Sequence, residues 1–520
     1  MYKRQIYPSY TYEEVEFIIN HSDCECVIIE NNDQFRKIID IQKSLNIKSV
    51  ITIDYIDVEL RNKLNKNIQI ISYEECMNIG IQQSQTHPDQ FIYYVENVSP
   101  ESIATIVYTS GTTGEPKGAV IKHKALYQVL ANVKKFTHNS INTNDRFLTY
   151  LPLSHVLGRL ESFFPLIFGC QAVYATDMKR LIKYISLAKP TLLVAVPRVL
   201  EKIYEKAMKS IQQNEIKNTA FKWANKAAND YYDTIAKDKT PKSMSIIQYH
   251  LAKKAIFEKI YNMFGGKIRF LISGGAPLSP TIIKFLRNCN LTVLEGYGLT
   301  ETVAPCFLNP LNKQVPGTVG HPMGDVEISF DSDGEILIKS EALFSEYYKN
   351  PDATKAAITE NGWLRTGDIG EFNPEGFLKI TDRKKDIIIT SGGKNIAPQK
   401  IENLLKLCSY ISHCIIIGDQ KKYLTALIGI ETEALRKRLK EFKIDESCNI
   451  KYLANNPEII HLIQSEIDEV NKTLASFETI KKFKIIPVEF DTNNYLTPSL
   501  KIKKKKILTD YSSLIESMYK

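Results

Sequence analysis

"IVYTSGTTGEPKG", residues 106–118, follows an apolar run and contains three glycines, four serine or threonine side chains and one lysine. Such a composition suits a phosphate-binding loop, but the segment lacks the Walker pattern G-x-x-x-x-G-K-S/T. Glu115 and Pro116 separate the preceding glycine from Lys117, and Gly118 stands where the metal-binding hydroxyl would be. We therefore predict a strand, a loop and a second strand, in which the loop either holds phosphate in another way or forms a surface turn.

The composition limits the class of protein. With 520 residues and 43% hydrophobic content, the chain is expected to form two or more domains, since single cores stop growing at roughly 250 to 300 residues. The net charge of +8 is spread over the whole chain. It favours weak attraction to anionic ligands or membrane surfaces and does not predict a nucleic-acid interface. The nine cysteines show no C-x-x-C spacing, so we expect reduced thiols and no zinc site.

The sequence also bears on location. The start, "MYKRQIYPSY", has no apolar region of the kind found in signal peptides. The longest nearly apolar stretch, residues 163–175, is shorter than the ~20 residues that a membrane-spanning helix needs. We therefore expect a cytoplasmic protein, with peripheral contact at the inner face of a membrane as an open alternative.

Apolar runs and turn signals predict the organisation of the N-terminal region. Thr11 and Glu14 form a capping box at the start of a helix, and alternating helix and strand patterns over residues 11–72 predict βαβ units. The pattern lacks a complete first unit, so we expect an upstream part of this domain to be missing. The predicted strands are residues 26–30, which read as buried, 49–54 and 68–72, and a polar connector follows near 80–100.

The remaining chain shows three further patterns. Residues 170–264 have no glycine and predict long amphipathic helices with a break near 238–243. Two short strands then end in the glycine-rich loops "SGGAPLS" (273–279) and "YGLTE" (297–301), at positions where open α/β sheets bind ligands. Past residue 320 a "DSDG" turn predicts an antiparallel unit, and a lysine-rich segment with βαβ-like apolar runs follows "DRKKD".

Seven segments together carry more information than any one of them, since each alone is compatible with an ordinary turn, strand end or hairpin. In chain order they are "YTSGTTGEPKG", "LPLSH", "SGGAPLS", "YGLTE", "NGWLRTGD", "DRKKDIIITSGGKNIAP" and "LTPSLK". This series resembles the adenylate-forming superfamily of acyl-CoA synthetases, luciferases and peptide-synthetase adenylation domains. "VPRVLEKIY", the long helical insert and "LTPSLKIKKK" are most similar to long-chain fatty acyl-CoA synthetases, whose members usually carry a further N-terminal segment.

The residues and the resemblance together predict an α/β protein. A large N-terminal adenylation domain, residues 1–382, would combine layered α/β subdomains with an antiparallel β unit. A small, mobile α+β C-terminal domain would cover residues 387–520, with a hinge at residues 383–386.

The resemblance implies ATP-dependent activation of a long-chain fatty acid. The acid would attack the α-phosphate of ATP to give acyl-AMP and pyrophosphate, and the acyl group would then pass to coenzyme A. The implied cofactors and co-substrates are ATP, Mg²⁺ and CoA. The implied partners are these small molecules and the fatty acid, without nucleic acid, and the oligomeric state is left open.

The resemblance also implies a nucleotide site. Tyr297 would stack on adenine, Thr300 would donate to the α-phosphate, and Glu301 would bind magnesium, which prefers carboxylate oxygen. Asp368 would accept from both ribose hydroxyls, and Arg383 would donate to them. The other implied nucleotide ligands are Gly274, Gly275, Ala276 and Gly298 near the adenosine and Thr109, Ser110, Gly111, Thr112, Thr113, Gly114 and Lys117 at the β- and γ-phosphates.

The acyl and CoA sites are implied in the same way. His155 would lie at the mouth of the acyl site, although it also suits a packed core histidine, and the helix behind it would wall an acyl tunnel or fill a core. Lys501 would bridge the carboxylate and the α-phosphate during adenylation. Rotation about Lys385 would then withdraw Lys501 and bring Gly392 and Gly393 to the site, where they leave room for the thiol arm of CoA.

Two other functions stay open at this point. One is a fatty acyl-AMP ligase that loads a carrier protein, which would favour an insert before the hinge, and residues 370–386 show none. The other is an inactive adenylate-binding protein, suggested by the short N-terminus, although every mapped catalytic position holds a competent residue.

Overall fold

The computed structural model describes residues 4–109, 116–138, 140–212, 214–237, 239–439, 441–442, 444–445, 447–491, 494–497 and 501–520. Five residues of the predicted phosphate loop, Ser110, Gly111, Thr112, Thr113 and Gly114, lie outside these ranges. None of the helices in the described ranges combines the length and the apolar composition that crossing a membrane requires.

The N-terminal region is a three-stranded parallel sheet with helices. Its elements are α1 (Tyr12–His21), β1 (Cys26–Ile29), α2 (Asn32–Ile41), β2 (Ser49–Thr52), α3 (Val58–Arg61), β3 (Gln69–Ser72), α4 (Tyr73–Thr86) and α5 (Gln90–Glu96). The strands pair in the order β1-β2-β3, which confirms the predicted βαβ units. Thr11 caps α1 through a capping box with Glu14, also as predicted.

Two predictions for this region are wrong. The connector expected near residues 80–100 is largely helical, because Ser72 and Glu75 form a capping box for α4 and the following glutamines and glutamates have good helix propensity. Strand β1 is not buried on both faces, since Ile28 is 64% exposed. The helices that pack with this sheet therefore leave part of one face open.

The middle region contains the largest sheet. Its elements are β4 (Ile103–Thr109), β5 (Lys117–Lys122), α6 (His123–Phe136), β6 (Arg146–Thr149), α7 (Val156–Glu161), α8 (Phe164–Phe168), β7 (Gln171–Tyr174), α9 (Leu181–Ala188), β8 (Leu192–Ala195), α10 (Pro197–Gln212), α11 (Glu215–Ile235), α12 (Ser243–Ala252), α13 (Glu258–Met263), β9 (Phe270–Ser273), α14 (Pro280–Asn288), β10 (Val293–Leu299), β11 (Ala304–Leu308) and β12 (His321–Pro322). The predicted strand, loop and strand at residues 106–118 correspond to β4 and β5, which pair antiparallel. A π-helical segment, Lys253–Phe257, joins α12 to α13.

The seven-stranded sheet has the order β12-β11-β10-β9-β8-β6-β7. Strands β7, β6, β8, β9 and β10 are parallel, whereas β11 and β12 continue the sheet antiparallel. All four residues of β8 are buried, because helices cover both faces of a parallel sheet. The carboxyl ends of the parallel strands form the edge at which such sheets bind ligands.

The last regions are antiparallel or mixed. Their elements are β13 (Glu327–Phe330), β14 (Glu335–Lys339), β15 (Glu346–Tyr347), α15 (Pro351–Ala357), β16 (Leu364–Phe372), β17 (Leu378–Arg383), β18 (Ile388–Ile389), β19 (Asn395–Ile396), α16 (Pro398–Leu405), β20 (Ile411–Ile417), β21 (Leu424–Ile430), α17 (Thr432–Leu439), α18 (Ile450–Asn455), α19 (Pro457–Asn471), β22 (Ile480–Ile485), α20 (Lys504–Asp510) and α21 (Ser512–Ser517). Strands β13, β14, β16 and β17 form the predicted antiparallel unit, and β15 joins β5 beside β4.

The C-terminal region corrects one expectation. Strands β20 and β21 form an antiparallel hairpin rather than part of a βαβ unit, and only β22 returns parallel to β21 after three helices. Every residue of β21 is buried, because it is the central strand of this sheet. The hinge predicted at residues 383–386 begins at the last residue of β17, and its role stays a prediction.

Candidate active site

Asp368 is the centre of a hydrogen-bonded cluster at the predicted nucleotide site. Strands β16 and β17 pair so that Asp368 lies directly opposite Arg383, whose Nε is 3.1 Å from Asp368 Oδ1. The Tyr297 hydroxyl donates to Asp368 Oδ2 at 2.7 Å. Burial raises the pKa of Asp368, whereas Arg383 and Tyr297 oppose that shift. The hairpin and the large sheet therefore bring three predicted adenosine ligands together.

Strand β10 ends in a bulge that shapes the "YGLTE" segment. The pairing with β11 shifts between Tyr297 and Gly298, and a Cβ atom at Gly298 would lie 2.0 Å from the carbonyl oxygen of Ala304. Val303 and Ala304 both have positive φ, 56° and 80°, which is rare for residues with a side chain. This tight turn carries Thr300 and Glu301 into the site, and only glycine fits at position 298.

Glu301 is connected to the phosphate loop through Tyr347. The Tyr347 hydroxyl donates to Glu301 Oε1 at 2.5 Å, and Lys117 Nζ lies 5.2 Å from the centroid of the Tyr347 ring. Tyr347 reaches this place because β15 pairs with β5, next to Ala119. Sequence reasoning missed Tyr347, since its segment has no motif and only strand pairing brings it here.

Gly274, Gly275 and Ala276 form the loop between β9 and α14. Gly275 has a φ of +84°, a conformation that favours glycine. A Cβ atom at Gly274 would be 3.4 Å from the carbonyl oxygen of Gly296, so this loop lies beside the end of β10. Gly275 and Ala276 are exposed, which leaves this edge accessible to a planar ring.

His155 is the N-cap residue of α7. Its Nδ1 accepts a hydrogen bond from the backbone N–H of Leu157 at 3.2 Å, which leaves Nε2 for other contacts. Burial lowers the pKa of His155 to about 4, and the positive charge of Lys501 adds to this shift. The imidazole is therefore neutral at pH 7, as suits a group beside a cationic lysine.

Lys501 enters the same cleft from the C-terminal region. An isolated bridge between Leu496 and Ile502 and a hydrogen bond from Lys501 N to Thr497 Oγ1 at 3.0 Å hold its backbone. The side chain keeps solvent-exposed surface while protein atoms crowd the ammonium group. This crowding lowers the pKa of Lys501, Arg383 lowers it further, and the carboxylates of Asp368 and Glu301 oppose both effects.

The arrangement brings together most of the predicted catalytic residues and leaves out the CoA glycines. Lys501 is electrostatically coupled to Asp368, Glu301 and His155. Gly392 and Gly393 lie in the turn between β18 and β19, where Thr390 and Lys394 bond to each other. Within the described ranges, no hydrogen bond or ion pair joins either glycine to the Asp368 cluster. The exchange of Lys501 for these glycines between the two steps stays a prediction.

Glu301 fits the predicted magnesium site. One oxygen accepts from Tyr347, and Oε2 makes no hydrogen bond to any residue that the structure describes. Mg²⁺ is commonly bound by one or two carboxylates together with substrate phosphates. A separate acidic group, Asp331, Asp333 and Glu335, is less suitable because Lys384 Nζ lies 2.5 Å from Asp333 and 2.8 Å from Glu335.

Comparisons with solved structures agree with this fold. The chain is similar to the adenylation domain of a carboxylate reductase from Mycobacterium chelonae, with a TM-score of 0.73 and 21% identity over 99% of this chain and 76% of that one. It is also similar to O-succinylbenzoate coenzyme A synthetase from Bacillus subtilis, with a TM-score of 0.58 and 19% identity over 95% of this chain and 91% of that one. These similarities show that the chain has the fold of adenylation enzymes.

Sequence comparisons define the family. Residues 4–348 match the AMP-binding enzyme family, and residues 385–520 match the AMP-binding enzyme C-terminal domain. A long-chain-fatty-acid–CoA ligase of Mycobacterium tuberculosis is 34% identical over 80% of this chain and 69% of its own length. Peroxisomal long chain acyl-CoA synthetase 7 of Arabidopsis thaliana is 31% identical over 98% of this chain and 73% of its own length. The chain therefore belongs to the AMP-binding enzyme family, and it is an AMP-forming ligase.

Proposed function

We propose that the protein activates a long-chain fatty acid with ATP and transfers the acyl group to coenzyme A, releasing AMP and pyrophosphate. The observation that carries this proposal is the position of Lys501, which reaches from the C-terminal region into the cleft beside Asp368, Glu301 and His155. The names of the relatives support the substrate class, and the two-step reaction agrees with the family.

The residues of the cleft have separate tasks in the first step. The carboxylate of the fatty acid attacks the α-phosphorus, a P–O bond to pyrophosphate breaks, and Lys501 neutralises charge on both reacting groups. Asp368 holds the ribose hydroxyls while Tyr297 and the Gly274 loop enclose adenine. Because His155 is neutral, it orients the carboxylate of the fatty acid without adding a positive charge that would repel Lys501. Mg²⁺, when bound at Glu301, neutralises phosphate charge.

The second step needs a different arrangement of the C-terminal region. The thiol of CoA attacks the acyl carbonyl carbon, the bond to AMP breaks, and the thiol proton leaves with solvent or AMP. Lys501 occupies the cleft in the present arrangement, so its withdrawal is required before the CoA arm can enter beside Gly392 and Gly393.

The test is an assay of purified protein with ATP, Mg²⁺, CoA and a panel of fatty acids of different chain lengths. We expect AMP, pyrophosphate and acyl-CoA, with the highest rate on a long-chain acid such as palmitate. Formation of acyl-AMP that passes to a carrier protein and not to CoA would favour the carrier-loading alternative. Absence of acyl-AMP with every acid would favour an inactive adenylate-binding protein.

We also propose that the protein works in the cytoplasm and contacts anionic membrane lipids. A groove of about 590 Å³ between α9, α10 and α13 supports the membrane contact, since it combines three cations, Arg180, Lys183 and Lys206, with exposed Leu187. Basic side chains beside apolar ones suit a membrane surface. The protein should sediment with vesicles that contain phosphatidylglycerol and not with pure phosphatidylcholine.

The double variant Lys183→Glu/Lys206→Glu should abolish this sedimentation. Lys222→Glu, on the exposed surface of α11, is the matched control and should leave it unchanged. Equal binding of all three proteins would show that the groove is not the contact surface.

A further inference from the structure

Glu161 carries a deeply buried carboxyl group. It is the last residue of α7, which begins directly after His155, and it is 1% exposed. Neither of its side-chain oxygens has a hydrogen-bond partner among the residues that the structure describes. The nearest cation along the helix, Arg159, does not neutralise it, because Arg159 bonds instead to the carbonyl oxygen of Leu153 and to Thr105.

Glu161 lies at the ligand-binding edge of the large sheet. The carboxyl raises the pKa of the neighbouring Tyr150 phenol, so the two groups are close. Strand pairing places Ala195 beside Ser273 and Ser273 beside Glu295, and continuing the register of β6 with β8 places Tyr150 beside Ala195. Paired residues on neighbouring parallel strands point to the same face of the sheet. A line of side chains that includes Tyr150, Ser273 and Glu295 therefore runs along the carboxyl ends of these strands.

This line has unused hydrogen-bonding capacity. The Ser273 hydroxyl is buried and has no hydrogen-bond partner among the described residues, and Ser273 directly precedes the glycine loop predicted to bind adenine. The Tyr150 hydroxyl is buried too, and the backbone of Val196 is a neighbouring hydrogen-bonding group in the described chain. Buried polar groups without partners are rare in folded proteins and indicate a ligand or an ordered water. Ala195, which lies between Tyr150 and Ser273 in this register, adds only a methyl group to the line.

The chemistry of Glu161 selects the kind of ligand group. Burial raises the pKa of Glu161 well above its ordinary value and so favours the protonated form, which has one donor and several acceptor positions. An alkyl chain satisfies none of them, and covering a buried polar group with hydrocarbon is unfavourable. A hydroxyl group, which both donates and accepts, satisfies the carboxyl.

We propose that the acyl site prefers long-chain fatty acids that carry a hydroxyl group within the chain, and that Glu161 binds this hydroxyl with Tyr150 and Ser273 nearby. The proposal rests on the proposed function and names its substrate class more closely. His155 and Glu161 are six positions apart, which is ~9 Å along a helix. The hydroxyl is therefore expected near the middle of the chain and not next to the carboxylate.

The test compares kcat/KM for palmitate, for a C16 acid hydroxylated near mid-chain and for one hydroxylated beside the carboxyl group. We expect the mid-chain hydroxy acid to exceed both others by about tenfold or more, since a site built for a hydroxyl discriminates against analogues that lack it. Glu161→Leu should reverse the preference toward palmitate, and Glu161→Gln should retain part of it.

Thr149→Val is the matched control. Thr149 is also buried with an unbonded hydroxyl, but it lies on β6 next to Tyr150 and therefore on the opposite face of the sheet, so its removal should leave the preference unchanged. Thermal melting should confirm that each variant is folded. Turnover of palmitate at least equal to that of both hydroxy acids by the wild type would overturn the inference and leave the proposed function intact, whereas no turnover of any acid would contradict both.

Discussion

At the scale of single residues, the cleft gathers more cations than anions among the side chains that the structure describes there. Lys501, Arg383 and Lys385 surround the carboxylates of Asp368 and Glu301. An excess of positive charge in a cleft raises the local concentration of anionic ligands. The charge balance therefore favours a triphosphate in this place. Burial lowers the pKa of Lys501 and of Lys385, and the positive charge of Arg383 lowers both further.

Lys501→Ala should abolish acyl-AMP formation from free fatty acid, by about 100-fold or more, because charge stabilisation at the reacting groups is lost. Thioester formation from supplied acyl-AMP should be spared. Radiolabelled pyrophosphate exchange and an acyl-AMP consumption assay measure the two steps separately. Lys505→Ala, at an exposed position four residues away on α20, is the control. Equal loss of both steps in folded Lys501→Ala would contradict the assigned role.

Glu295 gives a prediction for the pH dependence of stability. Burial raises its pKa from 4.5 to about 8, although Gly317 N donates to Oε2 at 3.0 Å. At pH values between 4.5 and 8, Glu295 has lost its proton in the unfolded state and keeps it in the folded state. Raising the pH from 4.5 to 8 therefore lowers the free energy of unfolding through this group, by up to about 1.4 kcal/mol per pH unit.

Glu295→Gln should flatten this decline, because the amide still accepts from Gly317 and does not ionise. Urea unfolding at several pH values between 5 and 8 measures the effect. Exposed Glu371→Gln is the control and should keep the wild-type slope. A slope unchanged in Glu295→Gln would show that this carboxyl is ionised in the folded protein.

At the scale of elements, the turn between β10 and β11 determines whether the site can form. Thr302 Oγ1 bonds to the carbonyl oxygens of Leu299 and Ala304 at 3.1 and 2.8 Å, and these bonds stabilise the positive φ of the turn. The strands on either side contribute Tyr297 and the buried Cys306. The turn therefore links the core of the large sheet to the groups that are predicted to contact nucleotide.

Gly298→Ala should disturb this turn, because its Cβ atom would overlap the Ala304 carbonyl. We expect a loss of about 1–3 kcal/mol in the free energy of unfolding and a larger KM for ATP. Gly80→Ala in α4 is the control, since its Cβ atom meets nothing within 4 Å, and alanine favours a helix. Wild-type stability and ATP affinity in Gly298→Ala would contradict the turn geometry.

At the scale of the whole molecule, polar contacts join the C-terminal region to the rest of the chain. Gln399 N donates to Asp382 Oδ2 at 3.4 Å, and Arg198 on α10 is coupled electrostatically to His413 and Glu431 on the C-terminal side. These polar contacts between described residues are partly exposed, and contacts of this kind permit domain movement. The proposed second step requires that they break.

Lys385→Pro should impair transfer to CoA and spare adenylation, whereas Lys501→Ala should impair adenylation and spare transfer. Proline fixes φ, so adenylation should continue while transfer to CoA falls by at least about 100-fold. Pyrophosphate exchange and acyl-CoA formation measure the two activities. Lys385→Ala keeps backbone freedom and should retain most of the transfer. Normal transfer in Lys385→Pro would place the hinge elsewhere.

Particular residues show how far sequence reasoning reached. The strands β1, β2 and β3 and the capping box of Thr11 were predictable, because apolar runs and cap chemistry depend on neighbours in the chain. The exposure of Ile28 could not be predicted, because it depends on packing against distant elements. The helices near residues 80–100 could not be predicted either, because polar helices lack an apolar period. Tyr347 was missed because β15 and β5 are more than 200 positions apart in the chain.

The sequence by itself determined the family, the kind of chemistry and most of the candidate ligands, because these depend on residue types in short segments of fixed order. Only the tertiary structure decided that Tyr297 bonds to Asp368, that Tyr347 bonds to Glu301, that Lys501 lies in the cleft, and that no described residue bonds to the buried Glu161 carboxyl. The physical reason is that strand register, burial and domain contacts are summed over residues far apart in the chain, and no local pattern records them.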